Sequence, residues 1–302
     1  MNPYQKCMLC PRNCMVNRYK KLGFCGLSNK LKVSLAKPFF YEEPPISGIK
    51  GSGTVFFSGC NLKCVFCQNM DISKYNNGLN ISIQRLSEIM LELQEKGVHN
   101  INLVTPTMFI PSIVKAIKKA KENGLTIPII YNSSGYENVE ALKLLDGYID
   151  VYLPDFKYFD NNLAIKYSKC PNYRENVILA LKEMVRQTGT CSFDNNGLIK
   201  KGVIVRHLML PGLTNDSKKI IKYLYETYHN DIFISIMNQY TPNKHVKEKK
   251  LKQRITKKDY EEVIGYAINL GIQNAFCQLD GTVSESFIPN FDYEGVKKPT
   301  TS

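Results

Sequence analysis

The sequence lacks any apolar run that approaches the roughly 20 residues needed to cross a lipid bilayer. It also lacks the charged start and apolar stretch of a secretory signal peptide, because residues 1–6 are mostly polar. These absences exclude a membrane-spanning class and predict a cytoplasmic protein without a membrane partner. A hydrophobic content of 43% and a charged content of 22% over 302 residues indicate an ordinary globular protein.

The most basic stretch of the chain, residues 244–258, has no aromatic residue interleaved with its lysines and arginines. Proteins that bind single-stranded nucleic acids combine basic grooves with aromatic stacking residues, so this absence disfavours a nucleic-acid partner. The chain as a whole carries a net charge of +13, which also suits an acidic protein or an anionic substrate. We expect residues 244–258 to form a solvated basic loop.

Cysteine, in contrast, is abundant, with ten residues in a chain that we expect in the reducing cytosol. Disulfides are rare there, so clustered cysteines are better candidates for metal ligands or redox groups. Seven of them form two clusters, Cys7, Cys10, Cys14 and Cys25 in the first and Cys60, Cys64 and Cys67 in the second. The other three are scattered, and we expect them to behave as small hydrophobic residues.

Composition divides the chain into two regions. Residues 1–50 hold four cysteines and too few apolar residues for a core of their own, so a metal would have to organise them. Residues 51–302 alternate short apolar or β-branched runs with amphipathic stretches, which predicts βα units around a parallel sheet. We therefore expect a Cys-rich metal-binding extension over 1–50 and a core domain with a carboxy-terminal tail over 51–302.

Six strands, the helices between them and one hairpin are predicted. The strands are residues 54–58, 100–104, 127–131, 149–153, 203–208 and 232–237, and the hairpin is residues 190–201. Ser82 and Thr256 are predicted to cap two of the helices. Six βα units are fewer than the eight of a closed barrel, so we predict an α/β fold with a partial (β/α)6 barrel. A doubly wound sheet is the alternative, and both place the active site at the carboxyl ends of the strands.

The second cysteine cluster follows directly after the first predicted strand, within Gly59-Cys60-Asn61-Leu62-Lys63-Cys64-Val65-Phe66-Cys67. Three thiolates within eight residues can converge on a [4Fe–4S] cluster, whose normal ligands are cysteine thiolates. Three ligands leave one of the four irons open, as in reactive rather than purely structural metal sites. The alternative is a zinc site completed by a distant His or Cys, although structural zinc sites usually pair two short hairpins.

This motif, with Phe66 at the aromatic position of Cys-x3-Cys-x-aromatic-Cys, resembles the signature of the radical S-adenosylmethionine (SAM) superfamily. The resemblance covers about residues 53–292 and is strongest for pyruvate formate-lyase-activating enzymes and their uncharacterised homologues. It implies that SAM chelates the open iron through its amino and carboxylate groups. It also implies that the reduced cluster cleaves SAM to methionine and a 5′-deoxyadenosyl radical, which abstracts a substrate hydrogen atom.

Three further stretches resemble motifs of this family at strand ends. They are Tyr131-Asn132-Ser133-Ser134-Gly135, Leu153-Pro154-Asp155-Phe156-Lys157, and Val205-Arg206-His207-Leu208 with Pro211-Gly212. By this match, Lys157 and Arg206 neutralise or orient the SAM carboxylate, and Asp155 contacts SAM or a monovalent cation. Gln239 lies near the adenosine, while Asn132 and Ser133 line the same site.

Two departures from the family pattern bear on function. The Gly-Gly-Glu stretch that meets the SAM amino group is replaced by Val104-Thr105-Pro106-Thr107, and we expect hydroxyls or backbone carbonyls of Thr105 and Thr107 to substitute. Asn132 stands in place of an Asp, and Gln239 in place of a His. These changes are compatible with SAM binding and argue against specific activation of pyruvate formate-lyase.

The four amino-terminal cysteines can close a tetrahedral zinc site or hold an auxiliary Fe–S cluster. Their mixed spacing does not match a familiar ferredoxin run, which favours zinc. Similar cysteine sets occur in some homologues of activating enzymes, so the resemblance implies that they belong to the enzyme.

Three functions remain open at the level of sequence. We expect hydrogen abstraction from a protein or peptide partner, as in glycyl-radical activation, with flavodoxin or ferredoxin as electron donor. Modification of a small metabolite or of another macromolecule is a close alternative, because substrate pockets lie in loops with no transferable code. The third is a non-catalytic Fe–S or zinc protein that binds nucleic acid through residues 244–258.

Overall fold

The computed structural model describes residues 2–244, 246–278 and 289–298. Residues 279–288 and 299–302 of the predicted core domain and tail, and His245 in the basic stretch, lie outside the described residues. Within them, ten strands form one sheet. They are β1 (Leu31–Phe39), β2 (Ser52–Phe57), β3 (Leu79–Ile81), β4 (Ile101–Val104), β5 (Ile129–Ser133), β6 (Val151–Pro154), β7 (Ser192–Phe193), β8 (Ile199–Leu208), β9 (Phe233–Met237) and β10 (Ala275–Cys277).

Nine α-helices accompany these strands in the same described ranges. They are α1 (Pro44–Ser47), α2 (Met70–Ser73), α3 (Ile83–Glu95), α4 (Ile110–Glu122), α5 (Val139–Leu142), α6 (Asn161–Ser168), α7 (Tyr173–Thr188), α8 (Thr214–Tyr228) and α9 (Lys257–Asn269). Short 3-10 turns lie at Thr107–Phe109, Lys143–Leu145 and Lys250–Lys252. Ser82 and Thr256 cap α3 and α9 as predicted, each accepting a hydrogen bond from a backbone N–H in the first turn.

The order of the strands identifies a partial barrel. β2, β4, β5, β6, β8, β9 and β10 are parallel and lie side by side in the order of the chain. A doubly wound sheet would reverse its order at a switch point, so that alternative is wrong. The six predicted strands correspond to β2, β4, β5, β6, β8 and β9, which confirms the predicted α/β fold with a partial (β/α)6 barrel.

The structure also contains elements that the sequence pattern did not predict. β1 pairs antiparallel with β2 on one side and with β3 on the other, although it lies within residues 1–50. The sheet therefore continues across the predicted domain boundary at residue 50. The division of the chain into two domains at that residue stays a prediction. The hairpin over residues 190–201 is present as the antiparallel pair of β7 and β8.

One hydrophobic core joins the barrel to the amino-terminal segment. It contains Phe57 and Tyr131 from the barrel strands and Tyr4, Leu9 and Leu27 from the first thirty residues. Because burial of apolar surface is the main favourable term in folding, these contacts hold the segment on the barrel. In the part of the chain that the structure describes, no helix has the length and hydropathy of a membrane span.

Candidate active site

A cavity of about 240 Å³ lies among the strand-end loops of the barrel and collects most of the predicted site residues of the core domain. The predicted residues that line it are Cys60, Cys64, Phe66, Cys67, Thr105, Asn132, Ser133, Asp155, Lys157, Arg206 and Gln239. The cysteines follow β2, and the polar residues end or follow the neighbouring strands. Because parallel strands present their carboxyl ends at one edge, residues far apart in sequence meet here.

The three thiols of the loop after β2 are partly shielded from solvent. Burial raises the pKa of Cys60 to about 12 and that of Cys64 to about 11. A bound metal cation deprotonates such thiols outright, so this donor set suits a metal cofactor. Phe66 is buried and packs edge-on against Tyr240, with ring centroids 6.0 Å apart.

The chemistry of these thiols suits an iron–sulfur cluster. The three cysteines lie on one loop and line the same cavity. Cysteine thiolates are the normal ligands of a four-iron cluster, and three of them leave one iron open for a further ligand. The residues present therefore fit a [4Fe–4S] cluster, whereas a zinc site here would need a fourth protein ligand from elsewhere in the chain.

Arg206 is the centre of a buried network of charges beside the thiols. Its Nε donates to Asp155 Oδ1 at 3.0 Å, its Nη1 to Glu42 Oε2 at 3.0 Å, and its Nη2 to Asn132 Oδ1 at 2.6 Å. Lys157 Nζ donates to Asp155 Oδ2 at 2.6 Å. The four charged side chains are between 9% and 17% exposed, so each buried charge is paired.

This pairing fixes the charge states of Asp155 and Lys157. Burial alone would raise the pKa of Asp155, but Lys157 and Arg206 outweigh it and hold this pKa below its usual value. Burial alone would lower the pKa of Lys157, but the neighbouring Asp155 carboxylate outweighs it and raises this pKa above its usual value. The cavity therefore offers both cations and carboxylate oxygens, which is what a ligand with a carboxylate and an ammonium group requires.

Glu42 is a site residue that the sequence analysis missed. It lies between β1 and α1, outside every stretch that resembles the family motifs, and its carboxylate lines the cavity. Besides pairing with Arg206, it accepts hydrogen bonds from Asn102 Nδ2 at 3.1 Å and Asn132 Nδ2 at 3.3 Å. The only signal in the sequence was the pair Glu42-Glu43 before two prolines, which by itself indicates a turn.

Glu42 makes the stability of the protein depend on pH. Burial raises its pKa from 4.5 to about 7, although Arg206 opposes the change. The folded state then binds a proton at Glu42 more tightly than the unfolded state does. Glu42 therefore makes its full contribution to the free energy of unfolding below about pH 4.5, and this contribution is lost as pH rises through about 7. We expect Glu42→Gln to flatten the fall in Tm between about pH 5.5 and 8.

Thermal melts of the wild type and the variant across this range measure the effect. Glu140→Gln is the control, because Glu140 is an exposed partner of Lys143 and should leave the profile of Tm against pH unchanged. Parallel profiles for Glu42→Gln and the wild type would contradict the expected titration of Glu42.

The two threonines after β4 have different positions. Thr105 lines the cavity and has a φ of 58°, a left-handed conformation that is strained for a β-branched residue and is typical of functional sites. Its N–H donates to the carbonyl of Asn132 at 2.8 Å. Thr107 does not line the cavity, and its buried hydroxyl donates to Glu137 Oε1 at 2.8 Å. Glu137 engages the hydroxyl of Thr107, so a contact of this residue with SAM would have to use its backbone carbonyl and stays a prediction.

Gln239 and Ser133 complete the polar lining. Gln239 follows β9, and its Oε1 accepts a hydrogen bond from Gln278 Nε2 at 3.0 Å. Ser133 ends β5 and is buried, and its Oγ accepts a hydrogen bond from the N–H of Gly135 at 3.3 Å. Both predicted residues are thus held at the cavity by contacts of their own.

The amino-terminal cysteines lie on turns that fold back on themselves. The N–H of Cys7 donates to the carbonyl of Val16, and the N–H of Met15 donates to the carbonyl of Cys7, each at 3.0 Å. A side chain built at Gly23 would meet Cys25 Sγ at 3.4 Å and Cys14 Sγ at 3.9 Å. Two of the four sulfurs thus flank the same backbone position.

This segment also contacts the loop of the cysteine triad. Arg12 Nε donates to the carbonyl of Asn61, next to Cys60, at 2.9 Å. Asn138 Nδ2, before α5, donates to the carbonyl of Met8 at 2.7 Å. The amino-terminal cysteines are therefore carried on a segment bonded directly to the edge of the barrel that holds the cavity.

Comparison with known proteins agrees with this geometry. The family model of the Radical SAM superfamily matches residues 54–224, which is more than half of the chain. The chain therefore belongs to the radical SAM superfamily and is an enzyme. Membership implies a [4Fe–4S] cluster and SAM as cofactors, and the alternative of a non-catalytic metal protein does not hold.

Individual relatives extend the comparison. The chain is 31% identical over 278 residues to uncharacterized protein MJ0674 of Methanocaldococcus jannaschii, covering 88% of this chain and 75% of that protein. It is 25% identical over 179 residues to the pyruvate formate-lyase-activating enzyme of Staphylococcus epidermidis, covering 56% and 65% of the two chains.

A solved structure of the same fold is Streptococcus suis SuiB bound to the precursor peptide SuiA. It matches with a TM-score of 0.51 at 14% identity, over 74% of this chain and 47% of that one. The chain thus spans about half the length of SuiB and about two thirds of the activating enzyme. At this identity the match to SuiB shows the fold alone.

Proposed function

We propose that this enzyme binds its [4Fe–4S] cluster through Cys60, Cys64 and Cys67, binds SAM beside it, and abstracts a hydrogen atom from a protein or peptide partner. The observation that carries the proposal is the shared cavity of the three thiols and the Arg206 network. A metal-binding triad and a site for a zwitterion are both needed for SAM chemistry at a cluster, and here they line the same space.

The bound cluster supplies the electron that cleaves SAM, and the side chains of the protein orient the cofactor. Lys157 and Arg206 would meet the SAM carboxylate, and Asp155 the SAM ammonium or a monovalent cation. Glu42 adds a second carboxylate for the ammonium. The remaining cofactor contacts would come from the lining residues Phe66, Thr105, Asn132, Ser133 and Gln239.

A macromolecular partner is supported by the surface beside the cavity. The basic stretch 244–258 follows β9 and begins next to the triad, since Asn243 Nδ2 donates to the carbonyl of Cys67 at 3.3 Å. The described lysines in this stretch are exposed, and an acidic protein would be attracted to them. One relative is named as the activator of another enzyme, and SuiB is bound to a peptide. The same surface suits a flavodoxin or ferredoxin as electron donor.

We propose further that Cys7, Cys10, Cys14 and Cys25 hold either zinc or a second Fe–S cluster. The support is their clustering on one packed segment, since four thiols in a protein of this class suit metal better than disulfides. Analysis of iron, sulfide and zinc in anaerobically purified protein decides between the two.

The test of SAM binding is the EPR spectrum of anaerobically reconstituted, reduced protein with and without SAM. We expect the cluster signal to change shape with SAM. In Lys157→Ala, at least about tenfold more SAM should be needed to produce half of this change in the signal, while the iron content stays that of the wild type. Lys143→Ala, at an exposed pair on the surface, is the control. A fully loaded cluster with no response to SAM would overturn the proposal.

The nature of the substrate is tested by the formation of 5′-deoxyadenosine in the holoenzyme. Stimulation by a glycyl-radical protein or by a peptide containing its radical loop would support the proposed partner class. Stimulation by small metabolites alone would favour the alternative of metabolite modification.

A further inference from the structure

Ser168, the last residue of α6, contacts one of the proposed cluster ligands. It is fully buried, and its Oγ donates a hydrogen bond to Cys64 Sγ at 2.9 Å. The same Oγ lies 2.7 Å from the hydroxyl of Tyr158, which is also fully buried. A serine hydroxyl has one hydrogen, so donating it to sulfur leaves the oxygen to accept the hydrogen of Tyr158. The result is a chain of hydrogen bonds from Tyr158 through Ser168 to Cys64.

Main-chain contacts fix this arrangement from both sides of the cysteine. The N–H of Lys63 donates to the carbonyl of Ser168 at 3.0 Å, and the N–H of Val65 donates to the carbonyl of Tyr167 at 2.9 Å. Lys63 and Val65 flank Cys64, so the end of α6 is bonded to the cysteine loop at three consecutive residues. The hydroxyl of Ser168 is therefore held at the sulfur by the backbone as well as by its own bond.

The other two cysteines have weaker contacts. Cys67 Sγ lies 3.2 Å from the hydroxyl of Ser73, which is only partly buried. Cys60 Sγ accepts the N–H of Leu62 at 3.4 Å. The contact to Cys64 is the shortest of the three, and its donor is fully buried, so it competes least with water and is the strongest of them.

We propose that Ser168 is a positioning residue that raises the reduction potential of the active-site cluster, and that Tyr158 strengthens its hydrogen bond to Cys64. A cluster held here would take up one electron from a low-potential donor such as dithionite, and the sulfurs of its cysteine ligands would become more negative. A donor at a ligand sulfur stabilises the reduced form more than the oxidised form, and such hydrogen bonds are among the factors that set cluster potentials. This inference rests on the proposed cluster site.

The experiment is a potentiometric titration of the reconstituted holoenzyme, with dithionite as reductant and the EPR signal of the reduced cluster as readout. At the midpoint potential of the wild type, we expect the ratio of reduced to oxidised cluster in Ser168→Ala to fall by about threefold or more. Tyr158→Phe keeps the ring and should produce a smaller fall of the same sign. Ser168→Thr keeps a hydroxyl and should recover most of the wild-type ratio.

Thr188→Val is the matched control, because it removes a buried hydroxyl whose bond goes to the carbonyl of Met184, within α7. Its ratio should equal that of the wild type. A wild-type midpoint in fully loaded Ser168→Ala would overturn the inference and leave the proposed function intact.

Two further outcomes separate the inference from the function on which it rests. If Ser168→Ala does not hold iron, Tyr158→Phe decides, and a wild-type midpoint in that loaded variant would reject the hydrogen-bond chain. A wild-type protein that forms no SAM-responsive cluster would overturn the proposed function itself.

Discussion

Replacing Cys64 with alanine should reduce SAM cleavage by at least about a thousandfold. The substitution removes one of three thiolates that are available to anchor the cluster, and it deprives the Ser168 hydroxyl of its buried acceptor. Iron and sulfide content and the anaerobic formation of 5′-deoxyadenosine measure the loss. Both the loaded iron and the product should fall together, because no step of the chemistry proceeds without the cluster.

A second cysteine serves as the control for this experiment. Cys191 is partly buried and donates to the carbonyl of Val203, away from the residues that line the cavity. Cys191→Ala should therefore retain the active-site cluster and SAM cleavage. Normal cleavage by Cys64→Ala would remove Cys64 from the proposed set of ligands.

Substitution of Arg206 should produce the next largest effect. Arg206→Ala removes the common partner of Asp155, Glu42 and Asn132. Asp155 then keeps its bond to Lys157, whereas Glu42 keeps only the amide hydrogen bonds of Asn102 and Asn132 and loses its charged partner. Removing one partner of a buried ion pair costs about 3–5 kcal/mol. We expect SAM affinity to fall by about a hundredfold and the Tm to fall with it.

Two variants separate charge from geometry at this position. Arg206→Lys keeps the positive charge without the planar fork, so it should recover only part of the SAM affinity. Arg186→Ala removes a half-exposed arginine that pairs with Asp146 and Glu183, and such surface pairs are worth at most about 1 kcal/mol. SAM titration by EPR and thermal melting distinguish these cases. Wild-type SAM affinity in Arg206→Ala would exclude Arg206 from the site.

Most of the barrel could be predicted because its signals are local. Each of the six strands is a short apolar run followed by an amphipathic stretch, and neighbours in the chain are neighbours in the sheet. Parallel strands end at a common edge, so residues such as Asp155 and Arg206 could be placed together from their positions after strands. These two residues are 51 positions apart in the chain, but a prediction that rests on strand ends does not depend on that separation.

The features that escaped prediction depend on pairings between distant segments. β1 is joined to the barrel only by the four-residue helix α1, which is too short to give a βα pattern, and its antiparallel register with β2 brings Glu42 to Arg206. Ser168 lies at the end of a helix with no motif, and only tertiary packing places it at Cys64. The hydrogen bond from the hydroxyl of Thr107 to the buried Glu137 likewise has no signal in the sequence.

The bond between Glu42 and Arg206 joins positions that are 164 residues apart, on either side of residue 50. A recombination event that exchanged the first fifty residues between two relatives would exchange part of the cofactor pocket together with the amino-terminal cysteines. The extension is therefore not a module that can be inherited freely. We expect its history to follow that of the barrel, with positions 42 and 206 changing together among relatives.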